Sequence, residues 1–203
     1  MITVYLVRHG QTIANTKLHC QGPEEPLSLA GELQAARLAK RVVNLDFQKM
    51  ISSDLKRARQ TAEAILKLKD VPFETSELFR EDQWPASFTG ESELDKVRLE
   101  YTAKAIANAD DPDWRFEDAE NVHDIINRIR KALTLFENES SDRLLIVSHS
   151  YFIKQLVGYI FLQGKCKPSQ VVGFKSILRT INTGISVISY DDQNWKVLTW
   201  NDH

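Results

Sequence analysis

The chain has 203 residues, 42% of them hydrophobic and 27% charged, a globular balance that excludes disordered and fibrous architectures and allows a sizeable core. Twenty-six Lys and Arg set against 28 Asp and Glu leave a net charge of -2, without the one-sided basic field that counterion-driven nucleic-acid binding requires. The longest apolar runs, Leu144 to Val147 and Tyr159 to Leu162, fall far short of the ~20 residues that cross a bilayer. Met1 to Val7 has neither a leading positive charge nor a small-residue cleavage site, so it reads as a strand and not as a signal peptide. Cys20 and Cys166 are far apart and outside CxxC spacing, which fits neither a disulfide framework nor a zinc site. These features lead to the expectation of one domain over residues 1–203, cytoplasmic, with no nucleic-acid or membrane partner.

In chain order, Ile2 to Val7 is a β-branched, apolar run ending in a glycine-containing turn, as a strand feeding a loop at its carboxyl end would be. From Leu29 the period becomes helical: Leu29, Leu33, Ala36, Ala39 or Lys40, and Val43 recur at three and four residue intervals, with Ser28 placed as the cap. Phe47 to Ile51 reads as a second strand, and Ser52-Ser53-Asp54 offers capping side chains to a helix carrying Leu55, Ala58, Ala62 and Ile65 on one face. Val71-Pro72-Phe73 marks an extended piece. Glu93 to Ala109 reads as a helix that ends at the breaker-rich Asp110-Asp111-Pro112-Asp113, and residues 84 to 118 form a candidate lid or insertion. Val122, Ile125, Ile126, Ile129, Leu133 and Phe136 form a helical stripe, followed by a buried strand at Leu144 to Ser148 and a helix at Phe152 to Phe161. Ile185 to Tyr190 and Trp195 to Trp200 close the chain as strands around a turn. Alternating strands and helices predict a three-layer α/β/α sandwich with a mainly parallel sheet.

Arg8-His9-Gly10 follows the first strand directly, where open α/β sheets place their ligands, and a glycine there lets backbone approach a ligand closely. His9 alone is equally well explained as a buried, hydrogen-bonded histidine. His149 follows the Leu144 to Ser148 strand as His9 follows the first, so two histidines at two strand ends can converge. Arg57 lies in the first turns of the helix after the second strand; with Lys56 and Arg59 beside it, a solvated face is the simpler reading for that residue alone. Loops that bring Arg8, His9, Arg57 and His149 together would form a positive, metal-free cavity suited to a phosphate dianion.

Leu6 to Thr12 with Asn15 resembles the signature of the histidine phosphatase superfamily, which includes the cofactor-dependent phosphoglycerate mutases. Gln21-Gly22, then Pro26-Leu27-Ser28 with Gly31 and Gln34-Ala35, is similar to the family's second element, and Ser52 to Ala62 to its third. Leu78-Phe79-Arg80-Glu81 resembles its acidic element, Glu120 to Arg128 its late helix, Val147-Ser148-His149 its second histidine segment, and Asn201-Asp202-His203 its ending. The resemblance implies that His9 is phosphorylated, that Arg8, Arg57 and His149 hold the phosphoryl oxygens, that Glu81 is the general acid and base, and that Asn15, Gln21 and the Gly22 amide line the phosphate site. No cofactor and no metal are implied. The chain departs from the family pattern at Ser150, where the family has Gly and where the hydroxyl could crowd the phosphate or donate to it. It departs again after Glu81, where Trp84-Pro85 stand in place of the usual Gly. Trp84 reads as an aromatic plug on the core, with stacking against substrate as the alternative. His19, His123 and His203 match no functional position and read as surface or structural.

The resemblance therefore implies a phosphomonoester hydrolase that works through phosphohistidine on a small phosphorylated metabolite. A phosphoglycerate mutase-type transferase is the alternative, disfavoured because the mutases carry an insertion after the acidic element. A non-catalytic phospholigand-binding module is the third reading, opposed by the complete set of five chemical residues.

Overall fold

The computed structural model describes residues 1–92 and 94–203. In chain order it contains β1 (Ile2–Arg8), α1 (Ile13–Lys17), α2 (Leu29–Val42), β2 (Lys49–Ser52), α3 (Lys56–Leu66) and β3 (Phe73–Thr75), then α4 (Lys96–Ala107) and α5 (Val122–Glu137). The remainder is β4 (Arg143–Ser148), α6 (Ser150–Phe161), α7 (Pro168–Val172), α8 (Phe174–Ile177), β5 (Ile185–Asp191) and β6 (Asn194–Asp202). The strands form one sheet in the order β3-β2-β4-β1-β5-β6. Pairs β2–β3, β2–β4 and β1–β4 are parallel, while β5 and β6 add an antiparallel edge.

Alternation along the central strands feeds two cores, because successive side chains of a strand point to opposite faces. Val4, Leu6, Leu144 and Ile146 pack with Ile129 and Phe136 of α5 and Phe152 and Leu156 of α6. Val7, Leu145 and Val147 pack with Leu38 and Val42 of α2 and Ala58, Ala62 and Ile65 of α3. The result is the expected three-layer α/β/α arrangement with a mainly parallel sheet.

Several elements differ from the sequence expectation. Helix α2 buries Ala35, Leu38, Ala39 and Val42, whereas Leu29 is 81% and Leu33 63% exposed. The expected Leu29/Leu33 face lies outward and the Ala-rich face inward, since its small side chains let α2 approach the sheet and α3. Ser28 does cap α2, accepting from the Gly31 amide. Helix α3 starts without a side-chain cap because its N-cap residue is Leu55, which carries no acceptor; Ser53 Oγ accepts from the Leu55 amide just before it. Helix α4 starts at Lys96 with Asp95 as its cap; Glu93, the expected first residue, lies outside the described residues. The short helices α7 and α8, absent from the sequence expectation, carry no long apolar period by which to recognise them. Among the described residues no helix is long and apolar enough to cross a membrane.

Candidate active site

Parallel pairing of β1 with β4 sets Arg8 opposite Ser148, so the next residue on each strand, His9 and His149, falls at the same level. Their ring centroids are 5.0 Å apart at 55°. The register of β2 on β4 sets Ser52 opposite Val147, which carries Ser53 to the same edge and starts α3 beside it. Three strand ends thus deliver His9, His149 and Arg57 to one place.

His9 is 2% exposed, and its Nδ1 lies 2.7 Å from the Gly10 carbonyl. A carbonyl only accepts, so Nδ1 carries the proton and Nε2 keeps its lone pair. Burial first, then the charges of Arg57 and Arg8, hold His9 well below the usual histidine range, against the opposing bond to Gly10. His149 is fully buried and likewise held well below that range, by burial and then by Arg57. Its Nε2 is 2.8 Å from Ser53 Oγ, and its Nδ1 has no hydrogen-bond partner among the described residues. Ser53 Oγ accepts from the Leu55 amide; the tautomer in which Ser53 donates to Nε2 leaves Nδ1–H available to a ligand.

Arg57, also 2% exposed, overturns the solvated-face reading. Burial lowers its pKa to about 10, so it stays charged at neutral pH, and Glu81 and Glu25 act against the lowering. Its Nη1 donates to the Gly22 carbonyl at 3.0 Å, which ties the Gln21-Gly22 loop to the cradle. Arg8 donates from Nη1 to the Thr180 carbonyl at 2.9 Å. Ser150 sits beside it: its hydroxyl is 2.7 Å from that of Thr180, so the residue standing in place of the family's Gly braces the Arg8 loop.

Glu81 accepts from the amides of Tyr151 and Phe152 at 3.2 and 3.0 Å. These are orphan donors at the start of α6, whose own N-cap, His149, makes no side-chain cap. Asn15 caps back onto the Thr12 amide at 3.2 Å and accepts from Asn182 at 3.3 Å. Gln21 accepts from the Thr12 hydroxyl at 3.2 Å. Gly10 packs so closely on α2 that a Cβ there would stand 2.6 Å from the Gly31 carbonyl oxygen.

Sequence reasoning missed the bracing residues. Thr61 takes the Gly10 amide at 3.0 Å, Asn182 donates to the His9 carbonyl at 3.0 Å, and Thr180 holds Arg8. Thr180 and Asn182 are far from the motifs in sequence, and Thr61, though inside the Ser52 to Ala62 segment, shows its contact with Gly10 only in the folded chain. Trp84 packs as the aromatic plug, its ring meeting Phe88 and Tyr101 in an aromatic cluster with Arg98 3.9 Å from its centroid. His19 and His123 are partly buried and His203 is exposed.

A mainly parallel sheet whose strand ends gather two buried histidines and two arginines defines an α/β protein with a positive cradle at one edge of the sheet. The profile of the histidine phosphatase superfamily (branch 1) matches residues 4–203, and the chain belongs to that superfamily. A relative named "Probable phosphoglycerate mutase GpmB" from Salmonella typhi is 30% identical over 210 residues, which cover 98% of this chain and 90% of the relative. Among solved structures, the alpha-ribazole phosphatase of Shigella flexneri superposes with a TM-score of 0.81 at 20% identity, over 99% of this chain and 96% of that one. A mycobacterial glucosyl-3-phosphoglycerate phosphatase, in complex with VO3, superposes with a TM-score of 0.77 at 22% identity over 100% of both chains.

Proposed function

We propose that the protein hydrolyses phosphate monoesters of small metabolites through a phosphohistidine on His9, without a metal. The observation that carries this reading is the placement of His9 with its ring centroid 5.0 Å from that of His149, its Nδ1 bonded to the Gly10 carbonyl so that Nε2 keeps its lone pair, with the charges of Arg57 and Arg8 near enough to hold its pKa down. Nε2 attacks phosphorus, the P–N bond forms as the ester P–O bond breaks, and the leaving oxygen takes a proton from Glu81. Glu81, now a carboxylate, removes a proton from water, whose oxygen attacks the phosphohistidine and releases phosphate and neutral His9. Arg8, Arg57 and His149 Nδ1–H stabilise the equatorial oxygens, and such positioning and charge supply most of the catalysis in phosphoryl transfer. Asn15, Gln21 and Gly22 shape the wall of the cradle, and residues 84 to 118 act as its lid. A mutase reading draws on the name of the Salmonella relative. Hydrolysis is preferred because the resemblance gives the mutases a further insertion of their own after the acidic element, and the sequence of residues 84 to 118 does not resemble it.

Mass analysis after neutral quenching of a reaction with nitrophenyl phosphate should place one phosphoryl group on His9. The label should be undiminished by prior EDTA treatment, and vanadate should compete with substrate. A label elsewhere, full activity in His9→Ala, or a rate lost to EDTA and restored by magnesium would overturn the reading. Isomerised phosphoglycerate with no released phosphate would turn it to the mutase.

A further inference from the structure

Asp82 is an ionisable side chain that the reaction above does not use. It follows Glu81 directly, is half-buried, and lines a small cavity with Trp84, Tyr101, Glu120, Tyr151 and Lys175. Trp84 donates a side-chain hydrogen bond to it. Tyr151 joins this corner to the cradle, since it lines the cavity while its amide donates to Glu81 at 3.2 Å. The two neighbouring carboxyl groups are thus held differently, Glu81 by backbone amides on both of its oxygens and Asp82 by the Trp84 indole.

Charges from each neighbouring element bear on the pair. Lys175 of α8 favours a carboxylate at Asp82, whereas Glu81 and Glu120 oppose one. Glu120 is itself paired with Arg128 of α5 at 2.8 Å. Arg57 of α3 faces both acids, and Lys154 of α6 faces Glu81. Burial and then Asp82 push Tyr101 of α4 up to about 12 and Tyr151 of α6 well above the usual tyrosine range, so both phenols stay neutral. Arg98 of α4 lies over the Trp84 ring. Burial, then Glu81, pushes Asp82 up to about 7. One proton therefore stays in this corner up to neutral pH, and it belongs to two interacting acids.

An alkyl ester needs that proton at Glu81, beside the leaving oxygen. A phosphate dianion between Arg8 and Arg57 takes up their charge and repels a carboxylate at Glu81, which favours a proton there, while Lys175 and the Trp84 bond stabilise the carboxylate left at Asp82. We propose that Asp82 is a positioning residue for the acid step: it stores the proton while the cradle is empty and yields it to Glu81 when the phosphate dianion binds. The proposal rests on the phosphatase reading above. The Asp82 O–H bond breaks as the Glu81 O–H bond forms, so the pair keeps one proton and one negative charge. Glu81 then protonates the leaving oxygen and regains a proton from the water that attacks phosphohistidine, and no further donor is consumed. The proton returns to Asp82 as phosphate leaves.

The test follows kcat/KM against pH for glycerol 3-phosphate, with the nitrophenyl phosphate burst as reference, in the unmodified protein, Asp82→Asn and Asp82→Glu. Above about pH 7 the pair loses its last proton, so the alkyl ester should lose about tenfold per pH unit in the unmodified protein, whereas the burst, which needs no proton, should not. In Asp82→Asn the store is gone. The same fall should begin at least about one pH unit lower, leaving a deficit of about tenfold or more at neutral pH that shrinks in acid, and Asp82→Glu should restore the original limb. In the unmodified protein, carbon-13 carboxyl resonances read the transfer directly: at about pH 7, inorganic phosphate should move Asp82 toward its ionised position and Glu81 toward its protonated one. A limb unmoved in Asp82→Asn, equal losses on both esters at every pH, or carboxyl resonances indifferent to phosphate would overturn the proposal. The His9 label from nitrophenyl phosphate does not depend on Asp82, so its presence or absence judges the phosphatase reading separately.

Discussion

The roles proposed for His9 and His149 need neutral rings, and the same burial that favours the neutral form makes the folded protein sensitive to acid. Both are held well below the ordinary histidine range, whereas in the unfolded chain each titrates near ~6.5. Above that pH both states leave the rings neutral and the two residues contribute no pH dependence. As pH falls below it the unfolded state binds protons that the folded state refuses, so stability drops, by up to about 1.4 kcal/mol per pH unit for each ring, until the folded values are reached. Urea unfolding at pH 7.5 and pH 5.5 should show this loss, and His149→Asn should show about half of it, whatever its own offset in stability. An identical pH slope in the variant would mean that His149 is protonated in the folded protein. Catalysis should be affected differently, since the phosphorylation burst with nitrophenyl phosphate should persist well below pH 6.5 while His9 stays unprotonated.

Helix α6 shows how one element joins fold to chemistry. Its N-cap position is spent on His149, whose ring serves the cradle, and its second and third amides are taken by Glu81 from a distant segment. A carboxylate is also favoured there by the positive end of the helix. Glu81→Gln keeps one carbonyl acceptor, so it should lose only about 0.5–1 kcal/mol of stability. Its activity on an alkyl phosphate should fall by about 10²–10⁴-fold, the usual worth of general acid catalysis. Nitrophenoxide needs no proton to leave, so on nitrophenyl phosphate a burst should precede slow water attack. Equal losses on both esters with no burst would leave Glu81 only its capping role. Much of this element was legible in sequence: β4 and α6 followed from the apolar run ending at Ser148, and both His9 and His149 from their places after strands. What the sequence hid was the trade of caps. Ser53 and Asp54 read as caps for α3, but Leu55 takes the N-cap place; Ser53 is shared between the Leu55 amide and His149, and Asp54 goes to Arg80, whose Nε donates to it at 2.7 Å. Such exchanges depend on which strands become neighbours, which no local spacing records. The exposed Leu29/Leu33 stripe misled for a related reason, since periodicity shows that a helix has an apolar face and not which of two candidate faces meets the sheet.

Across the whole molecule, the catalytic parts come from both halves of the chain, and their relative placement rests on a few long-range ties. The cradle hangs from β1, β2 and β4 in the rigid centre of the sheet, whereas Glu81 sits on an irregular segment between β3 and α4. Arg128 of α5 anchors that segment. Its guanidinium donates to the carbonyls of Leu78, Arg80 and Glu81 at 3.2, 2.7 and 3.2 Å and pairs with Glu120 through two bonds of 2.8 Å. It also stands 5.0 Å from the Phe152 ring centroid, joining the acidic segment to the core beneath α6. Arg128→Met would keep the packing volume but strand Glu120 and three carbonyls with only part of their bonding. Breaking a fully buried pair costs ~3–5 kcal/mol; with Arg128 and Glu120 side chains 15% and 20% exposed, water softens this to roughly 2–3 kcal/mol. The consequence for catalysis should be selective, because His9, Arg8, Arg57 and His149 do not hang on Arg128. The expected result is a His9 phosphorylation burst on nitrophenyl phosphate close to that of the unmodified protein, with a loss of at least tenfold on an alkyl phosphate as Glu81 drifts from the leaving oxygen. Glu120→Gln, which keeps a neutral acceptor for Arg128, should show the same pattern more weakly. A variant that loses the burst and the alkyl activity together would show that Arg128 supports the cradle itself, and Arg128 would then have to act through His149, on which its charge also bears.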